Sequence, residues 1–302
     1  MNKVAEVAVL LSFYNGFKFI DEQVDSILNQ HSDNLKIDIY IRDDGSKCLK
    51  SVTKLNEIKA KHPKIYIIDG DNVGVVNSFL YLLDVVDGYD FYAFCDQDDY
   101  WLPNKINNAV NTINNNSPQL YCGNYTLVDA QLHPLKSNYG KDSIVPSFHN
   151  ALFKNFCTGC TCLINSKLRD EVLKLKMPSL IPMHDWFLLL VAYCVGEVIY
   201  DHDSNILYRQ HGFNVVGGVT NFGDKFKRYI RYIREGNNVR YQLTKYLMVI
   251  NKNPELKIFI EDLLASRTDL AKRIKLITNN SWTYKSLLDR LSVYMVVLLY
   301  RF

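Results

Sequence analysis

The sequence predicts an α/β protein built on a doubly wound, mostly parallel sheet with helices on both faces. Apolar, β-rich runs alternate with helically spaced segments over the first hundred residues, and polar or acidic residues follow each run. This alternation is typical of parallel sheets, because each crossover between parallel strands has room for a helix. With 302 residues, 48% of them hydrophobic, the chain is long enough to bury a sizeable core.

The elements follow in order along the chain. Residues 4–15 form an apolar run that predicts the first strand, and residues 18–30 carry apolar side chains at helical spacing. The same patterns predict strands over 36–46, 64–69 and 90–95, with helices up to about residue 60 and over 73–86 and 102–113. Further on they predict strands over 121–129 and 157–165, a helix over 183–196, and two strand-like pieces over 197–211.

The charge distribution divides the chain into a domain over 1–221 and a basic helical region over 222–302. Residues 224–302 carry 16 Lys and Arg against 7 Asp and Glu, whereas residues 1–223 carry 19 against 25. In the basic region, cations alternate with Tyr, Ile and Leu at helical spacing. This pattern fits either a helix on an anionic membrane surface or a helix packed on the main domain. Nucleic acid is a weaker interpretation, because no binding module accompanies the charge.

The seven cysteines are odd in number and scattered, which favours a reducing cytoplasm. Cys157, Cys160 and Cys162 lie close together, but no second CxxC or His pair is suitably spaced for a zinc site. We therefore expect small buried thiols on a strand. No segment is typical of a signal peptide, and none approaches the roughly 20 apolar residues that span a bilayer.

Three carboxylates follow the fourth predicted strand, in the stretch FYAFCDQDDYW. Asp96, Asp98 and Asp99 fall beyond the carboxyl end of a strand, where parallel sheets hold their ligands. Closely spaced carboxylates suit Mg²⁺ or Mn²⁺, which also take oxygens from a diphosphate. A helix N-terminus capped by Asp99 is the simpler interpretation, and both can hold together.

Other strand and helix ends carry weaker signals. Asp43 and Asp44 in RDDGS make a good turn, and a carboxylate there can also accept from a base or a ribose. Asp185 in HDW can cap a helix or, with a raised pKa, act as a general base. Arg209 and His211 in YRQH suit phosphate or metal contacts, although a lone His is more often structural. No GxGxxG or GxxxxGK[ST] loop follows the first strand, which argues against a dinucleotide or P-loop site.

The order of these stretches is more specific than any one of them. SFYNG, RDDGS, DNVGVVNSF, DQDDYW, TGC, HDW and YRQH follow one another within residues 4–217. This combination resembles the family 2 inverting glycosyltransferases with the GT-A fold. The ending HDW…YRQHGFNVVG is similar to the bacterial branch that builds O-antigens, capsules and rhamnose-containing polysaccharides.

The resemblance implies a role for each matching residue. Asp44 would read the nucleotide base and Asp43 would support the turn, and the donor would also be bordered by Ser12, Tyr14, Asn72, Gly74, Asn77 and Asp96. A Mn²⁺ or Mg²⁺ ion would be held by Asp96, Asp98 and His211, while Arg209 and His211 would reach the diphosphate and order the closing loop. Asp185 would be the catalytic base, with an acceptor side formed by Gly159, His184 and Trp186. Many relatives have Glu-Asp or Asp-Asp in place of His184-Asp185, so the role of His184 stays open.

The implied reaction is a metal-dependent single displacement with inversion. The donor would be UDP-glucose, UDP-galactose or dTDP-rhamnose, and the acceptor an undecaprenyl diphosphate-linked saccharide. The protein would then be a peripheral one on the cytoplasmic face of the inner membrane. Two alternatives stay open: a catalytically silent nucleotide-sugar or carbohydrate-binding domain of the same fold, and a nucleotidyltransferase. The joint presence of Asp44, Asp96, Asp98 and Asp185 favours the enzyme, and SFYNG lacks the Gly-rich basic loop expected of a nucleotidyltransferase.

Overall fold

The computed structural model describes residues 4–30, 34–135, 145–178, 181–211, 239–279 and 282–299. Within these ranges the chain forms one sheet of eight strands: β1 (Ala5–Phe13), β2 (Leu35–Asp44), β3 (Ile65–Gly70), β4 (Phe91–Cys95), β5 (Tyr100–Trp101), β6 (Gln119–Val128), β7 (Leu163–Asn165) and β8 (Glu197–Arg209).

The helices in the same ranges pack on both faces of the sheet. They are α1 (Ile20–Leu28), α2 (Leu49–Lys61), α3 (Val75–Val85), α4 (Lys105–Thr112), α5 (Phe148–Phe153), α6 (Ser166–Lys174), α7 (His184–Val195), α8 (239–250), α9 (Pro254–Ala265), α10 (Leu270–Thr278) and α11 (Leu287–Leu298). A 3₁₀ turn covers Gly159–Thr161.

The strand order is β3–β2–β1–β4–β7–β6–β8–β5. The first four strands of this order pair in parallel, and β6 is parallel to β8. β7 runs antiparallel to both β4 and β6, and β5 runs antiparallel to β8. The predicted α/β class with a mostly parallel sheet is therefore confirmed, and the sheet changes direction directly beside β4.

β1 and β4 lie at the centre of the sheet and are buried on both faces. Their side chains alternate between two hydrophobic clusters, with Ala8 and Phe94 in one and Val9 and Cys95 in the other. A strand covered on both faces reads as a continuous apolar run. This is why both strands were predictable from the sequence.

The C-terminal helices share the hydrophobic core on the α7 side of the sheet. The Phe148 and Phe259 rings meet edge-on with centroids 6.1 Å apart, and Phe153 meets Trp282 at 5.5 Å. Packing on the main domain, one of the two interpretations of the basic region, therefore holds for the described helices. The predicted boundary at 221/222 and much of the basic run lie outside the described residues. Among the helices that are described, none combines the length and apolarity needed to cross a membrane.

Three sequence predictions of local structure were wrong. The predicted strand over 157–165 begins instead with the 3₁₀ turn, where the Thr161 N–H donates to the Thr158 carbonyl at 2.8 Å. The two pieces over 197–211 form the single strand β8, which keeps its pairing with β6 through irregular register. Asp99 does not cap a helix: α4 starts at Lys105 after the N-cap Asn104, and the Asp99 carboxylate bonds elsewhere.

Candidate active site

The candidate site lies at the edge of the sheet where the four parallel strands end. β1 ends at Phe13, β2 at Asp44, β3 at Gly70 and β4 at Cys95. Parallel strands bring their carboxyl ends to one edge, which is where open α/β sheets bind ligands. The predicted residues of the first hundred positions therefore gather here.

The loop after β3 is held by a carboxylate from the end of β2. Asp44 accepts hydrogen bonds from the backbone N–H groups of Val73 at 3.0 Å and Gly74 at 2.9 Å. It also pairs with the buried guanidinium of Arg42, which donates to the Asp71 carbonyl at 2.9 Å. Gly74 has φ +80°, a conformation that favours glycine. Asp44 thus orders the predicted donor loop, and its contact with a base stays a prediction.

The turn after β2 contacts the end of β1. Asp43 accepts from the Ser46 N–H at 3.0 Å, as expected of a carboxylate that supports a turn. The Asn15 side chain accepts from the N–H groups of Lys47 at 3.1 Å and Cys48 at 3.0 Å, directly before α2. These bonds join two of the loops that would border a nucleotide.

Gln97, the middle residue of DQD, ties the acidic loop to the end of β1. Its side-chain oxygen accepts from the Tyr14 N–H at 2.9 Å, and its amide nitrogen donates to the Tyr14 carbonyl at 3.3 Å. A Cβ on Gly16 would lie 2.1 Å from the same side-chain oxygen, so a larger residue there would displace the Gln97 amide from Tyr14. The Tyr14 side chain is left exposed.

Three other predicted donor residues lie in helix α3 or close to it. The hydroxyl of Ser12, near the end of β1, lies 2.7 Å from the hydroxyl of Ser78 on α3. The Asn77 amide donates to the Val73 carbonyl at 3.0 Å, which directs it back to its own helix. Asn72 belongs to the loop that Asp44 orders. Its backbone nitrogen packs closely against Gly45, where an added Cβ would lie only 2.8 Å away.

The acidic loop after β4 brings three carboxylates together. The Asp98 carboxylate lies 2.7 Å from Nε2 of His211, whose ring stacks on Phe19 with centroids 5.0 Å apart. Asp99 accepts from the Arg209 N–H at 3.0 Å. Removal from water raises the pKa of Asp96 to about 7, and the charges of Asp98 and Asp185 add to the shift. A cation at this loop would therefore relieve a strong local repulsion.

The structure offers a candidate site for a divalent metal at this loop. In the described part of the chain, ligand atoms of Asp96, Asp99 and Cys160 all lie within 4.8 Å of one another. Burial raises the pKa of the Cys160 thiol well above its usual range, so it stays protonated and is a poor ligand for hard cations. Asp98 and His211 do not belong to this group, so their binding of Mn²⁺ or Mg²⁺ together with Asp96 stays a prediction.

Asp185 lies in the first turn of α7 and is the second residue of that helix. The N-cap is Met183, so Asp185 is not the cap. Its carboxylate accepts from the Trp186 N–H at 2.6 Å, and the nearby Gly159 N–H and Asn155 side-chain amide favour its ionised form. Burial nevertheless raises the pKa of Asp185 to about 6, a value suited to a general base near neutral pH.

The predicted acceptor-side residues lie around this carboxylate. The Trp186 indole N–H donates to the Ala151 carbonyl at 2.6 Å, which fixes the start of α7 against α5. His184 is only 2% exposed, and among the described residues neither of its ring nitrogens has a hydrogen-bond partner. Burial lowers the pKa of His184 to about 3, so the ring is neutral. His184 therefore faces the interior, beneath Asp185 and Gly159.

Arg209 lies inside the protein. Its guanidinium donates to the carbonyls of Asp98 at 2.8 Å and Ala130 at 2.5 Å and pairs with Glu22 at 2.6 Å. It also lies over the Phe19 ring. These contacts hold the acidic loop from behind, and a contact between Arg209 and a diphosphate stays a prediction.

The structure therefore places Asp98 against His211 and brings Asp98 and Asp185 close enough to Asp96 for their charges to act on it, with the Asp44 loop at the same edge of the sheet. Sequence reasoning missed four residues that hold this site in shape: Glu22, Arg42, Gln97 and Asn155. Gln97 was quoted in DQD but had no predicted role, and its position between two aspartates was the available signal. Arg42 directly precedes the two aspartates of RDDGS, whereas Glu22 and Asn155 are isolated in the sequence and only the fold brings them to the site.

The fold and the site together define a glycosyltransferase. The chain belongs to glycosyl transferase family 2, whose family model matches residues 8–174. The match covers the parallel strands, the acidic loop and the 3₁₀ turn, but ends before α7 and β8.

Two relatives illustrate the similarity in sequence. The dTDP-rhamnosyl transferase RfbG of Shigella flexneri is 32% identical over 229 residues, which cover 72% of this chain and 77% of that protein. An uncharacterized glycosyltransferase of Rickettsia typhi is 30% identical over 218 residues, which cover 68% of this chain and 64% of that protein.

Solved structures show the same GT-A-like fold. S. aureus TarS 1–349 in complex with UDP-GlcNAc has a TM-score of 0.60 at 14% identity, over 97% of this chain and 79% of that one. The mannosyltransferase PcManGT from Pyrobaculum calidifontis in complex with GDP-Man and Mn²⁺ has a TM-score of 0.58 at 13% identity, over 99% and 86%. At these identities the likeness concerns the fold.

Proposed function

We propose that the protein transfers a hexose or deoxyhexose from a nucleotide-diphosphate sugar to a hydroxyl group, with inversion at the anomeric carbon. The observation that carries this proposal is the position of Asp185. Its carboxylate is close enough to the acidic loop for its charge to raise the pKa of Asp96. A base that faces the loop proposed to hold the diphosphate stands where an acceptor hydroxyl would approach.

The proposed reaction is one displacement. Asp185 takes the proton of the acceptor hydroxyl as the oxygen forms its bond to the anomeric carbon. The bond from that carbon to the diphosphate oxygen breaks, and the nucleoside diphosphate leaves from the opposite face. A single base is sufficient for such an inversion, and the raised pKa of Asp185 keeps it basic enough to act near neutral pH.

A bound Mn²⁺ or Mg²⁺ would neutralise negative charge that develops on the departing diphosphate. Asp96, Asp98 and His211 are the residues proposed to hold it, because they combine two carboxylates with an imidazole at the open side of the loop. Asp98 and His211 keep 19% and 11% of their side chains exposed, whereas Asp99 is buried against Arg209.

The proposed donor is dTDP-rhamnose, with UDP-glucose and UDP-galactose as competing candidates. Support for rhamnose comes from the printed name of the Shigella flexneri relative, which matches most of the length of both chains. The donor nucleotide would lie between the ends of β1 and β2 and the loop ordered by Asp44. That loop would supply Asn72 and Gly74, and the start of α3 would supply Asn77, to the ribose or sugar side.

The proposed acceptor is a saccharide linked to undecaprenyl diphosphate, at the cytoplasmic face of the inner membrane. The product would be an intermediate of a bacterial surface polysaccharide such as an O-antigen or a capsule. Basic residues in the region 222–302 and exposed apolar side chains on α11 support a peripheral contact with anionic lipid.

The test is transfer by the purified protein with Mn²⁺, a panel of dTDP- and UDP-sugars, and a GlcNAc-diphosphate-lipid acceptor. Asp185→Asn should lower turnover by at least a thousandfold and leave nucleotide binding unchanged, because the base is lost and the donor side is intact. Asp203→Asn, at an exposed carboxylate of β8, is the matched control and should behave as wild type. Wild-type turnover by Asp185→Asn, or a product with retained anomeric configuration, would contradict the proposal.

A further inference from the structure

We propose that Gly159 and His184 interlock to set the position of the Asp185 carboxylate, and that both are positioning residues for this base. The inference rests on the proposed function, in which Asp185 accepts the proton of the acceptor. It assigns the pair a role inside the protein, behind the base, in place of contact with the acceptor.

The first observation is the close fit between Gly159 and the His184 ring. A Cβ on Gly159 would lie 2.8 Å from Nε2 and 3.2 Å from Cε1 of His184, and 3.6 Å from Oδ2 of Asp185. A separation under 3.0 Å is shorter than real Cβ contacts, so any other residue at 159 must displace the ring or the turn. Glycine is required here by the contact with His184 and not by its backbone angles.

The second observation is that the ring has little room to move away. On its other side it packs on Phe79 of α3, with centroids 4.1 Å apart, and on Phe94 of β4, at 5.7 Å. All of these side chains are buried. A larger side chain at position 159 would therefore displace the start of α7, where Asp185 follows His184 directly.

The third observation is the absence of polar contacts to this imidazole within the described structure. Leaving a buried polar group unpaired is unfavourable, so hydrogen bonding does not explain a histidine at this position. Its contribution is the shape of a small flat ring. The five-membered ring fills the space between two phenylalanines and the bare α-carbon of Gly159.

The fourth observation links the fit to the base. The Gly159 backbone lies beside the Asp185 carboxylate, where its N–H favours the ionised form, and the 3₁₀ turn that contains it is fixed by a 2.9 Å bond from the Cys162 N–H to the Gly159 carbonyl. A shift of this turn would change the space and the polar surroundings of the carboxylate. Misplacing a catalytic group by about 1 Å can cost roughly a hundredfold in rate.

The experiment compares Gly159→Ala, His184→Ala and the double variant. Gly159→Ala should lower kcat about 10- to 100-fold, while KM for the donor and the affinity for the free nucleoside diphosphate stay unchanged. His184→Ala should have a smaller effect, and the double variant should turn over faster than Gly159→Ala alone, because removing the ring makes room for the new methyl group. Such a rescue would show that the two positions act through their contact. A loss of kcat with unchanged nucleotide affinity separates a misplaced base from a general loss of folded protein.

Gly123→Ala is the matched control, because a Cβ there would meet its nearest atom at an ordinary 3.5 Å. His184→Phe is a second probe: its longer ring presses on the same turn and should also lower kcat with nucleotide binding intact. Wild-type kcat in both Gly159→Ala and His184→Phe would overturn the inference, as would a double variant no faster than Gly159→Ala. Active Asp185→Asn would refute the proposed base itself, whereas inactive Asp185→Asn beside fully active Gly159→Ala would refute only the interlock.

Discussion

The guanidinium of Arg209 donates from Nε to the carbonyl oxygen of Asp98 at 2.8 Å, across 111 residues of chain. One residue further on, Asp99 accepts from the backbone N–H of Arg209 at 3.0 Å. Strand β8, the last strand along the chain, therefore holds the acidic loop at two successive residues. The loop is positioned by β8 as much as by β4, the strand from which it emerges.

Replacing Arg209 should destabilise the protein and loosen the acidic loop. Arg209→Ala removes donors from two carbonyls and leaves a cavity in a fully buried position, so we expect a loss of about 2–4 kcal/mol in the free energy of unfolding. Arg209→Lys, which keeps the charge but cannot serve all three partners, should lose less. Urea unfolding measures both. Lys174→Ala, at a 69% exposed side chain, is the control and should change stability by less than about 0.5 kcal/mol.

Binding of Mn²⁺ should depend steeply on pH around neutrality. The pKa of Asp96 is about 7 and a metal binds the ionised carboxylate, so protonation competes with the metal below pH 7. We expect the Kd for Mn²⁺ to rise up to about tenfold per pH unit below that value and to level off above it. Titration calorimetry in two buffers would also detect the released proton. In Asp96→Asn this pH dependence should vanish along with most of the affinity, and an unchanged profile would argue against Asp96 as a ligand.

Asp185→Asn should make the protein more stable at neutral pH. The folded-state pKa of about 6 lies above the ordinary 3.8, so the folded state holds its proton more tightly than the unfolded state. Ionisation therefore costs stability progressively between about pH 4 and pH 6, by about 2–3 kcal/mol in full. The amide should recover much of this at pH 7.5 and nothing at pH 3.5. A difference in the free energy of unfolding that does not change with pH would contradict the raised pKa of Asp185.

The exposed face of α11 should contact anionic lipid. Leu287, Leu291, Met295 and Leu298 recur every three or four residues and are 59%, 46%, 44% and 45% exposed. Flotation with liposomes that contain anionic lipid should recover the wild-type protein. Leu291→Asp/Met295→Asp should bind at least tenfold more weakly, because burying each apolar side chain contributes about 1.5–3 kcal/mol.

Val249→Asp/Ile258→Asp is the control for this measurement. Val249 on α8 and Ile258 on α9 are 84% and 64% exposed and lie outside the α11 stripe, so the two changes add the same charge to a different surface. It should leave flotation unchanged. An equal loss of liposome binding in both variants would show that binding depends on net charge and not on the α11 stripe. If the wild-type protein does not float with the liposomes, the proposed membrane contact is wrong.

The parallel half of the fold was predictable because its strands are buried on both faces. β1 and β4 read as continuous apolar runs, and the helices between the strands show amphipathic spacing. The antiparallel half was harder. β5 has two residues and β7 has three, too short for any periodicity, and both exist because longer neighbours pair with them. Asn165 ends β7 and caps α6 in one step, by accepting from the Leu168 N–H at 3.0 Å.

The candidate site divides in the same way. Asp44, the acidic loop and Asp185 follow strands or begin a helix, so local patterns locate them. The environment of each is not local: Asp44 meets Arg42 and the loop after β3, and His184 meets Phe79 and Phe94. The sequence therefore predicts which groups carry the chemistry, while their pKa values and their supporting contacts depend on tertiary packing.

Because β8 pairs with both β5 and β6, the protein cannot be shortened to its family-matched segment without damage. A fragment over residues 8–174 would expose the backbone edges of these strands, which are then open to intermolecular pairing and aggregation. It would also lack Asp185 and both hydrogen bonds between the acidic loop and Arg209. Any transplant of this site into another scaffold, or any chimera with a relative, should place its junction after residue 211.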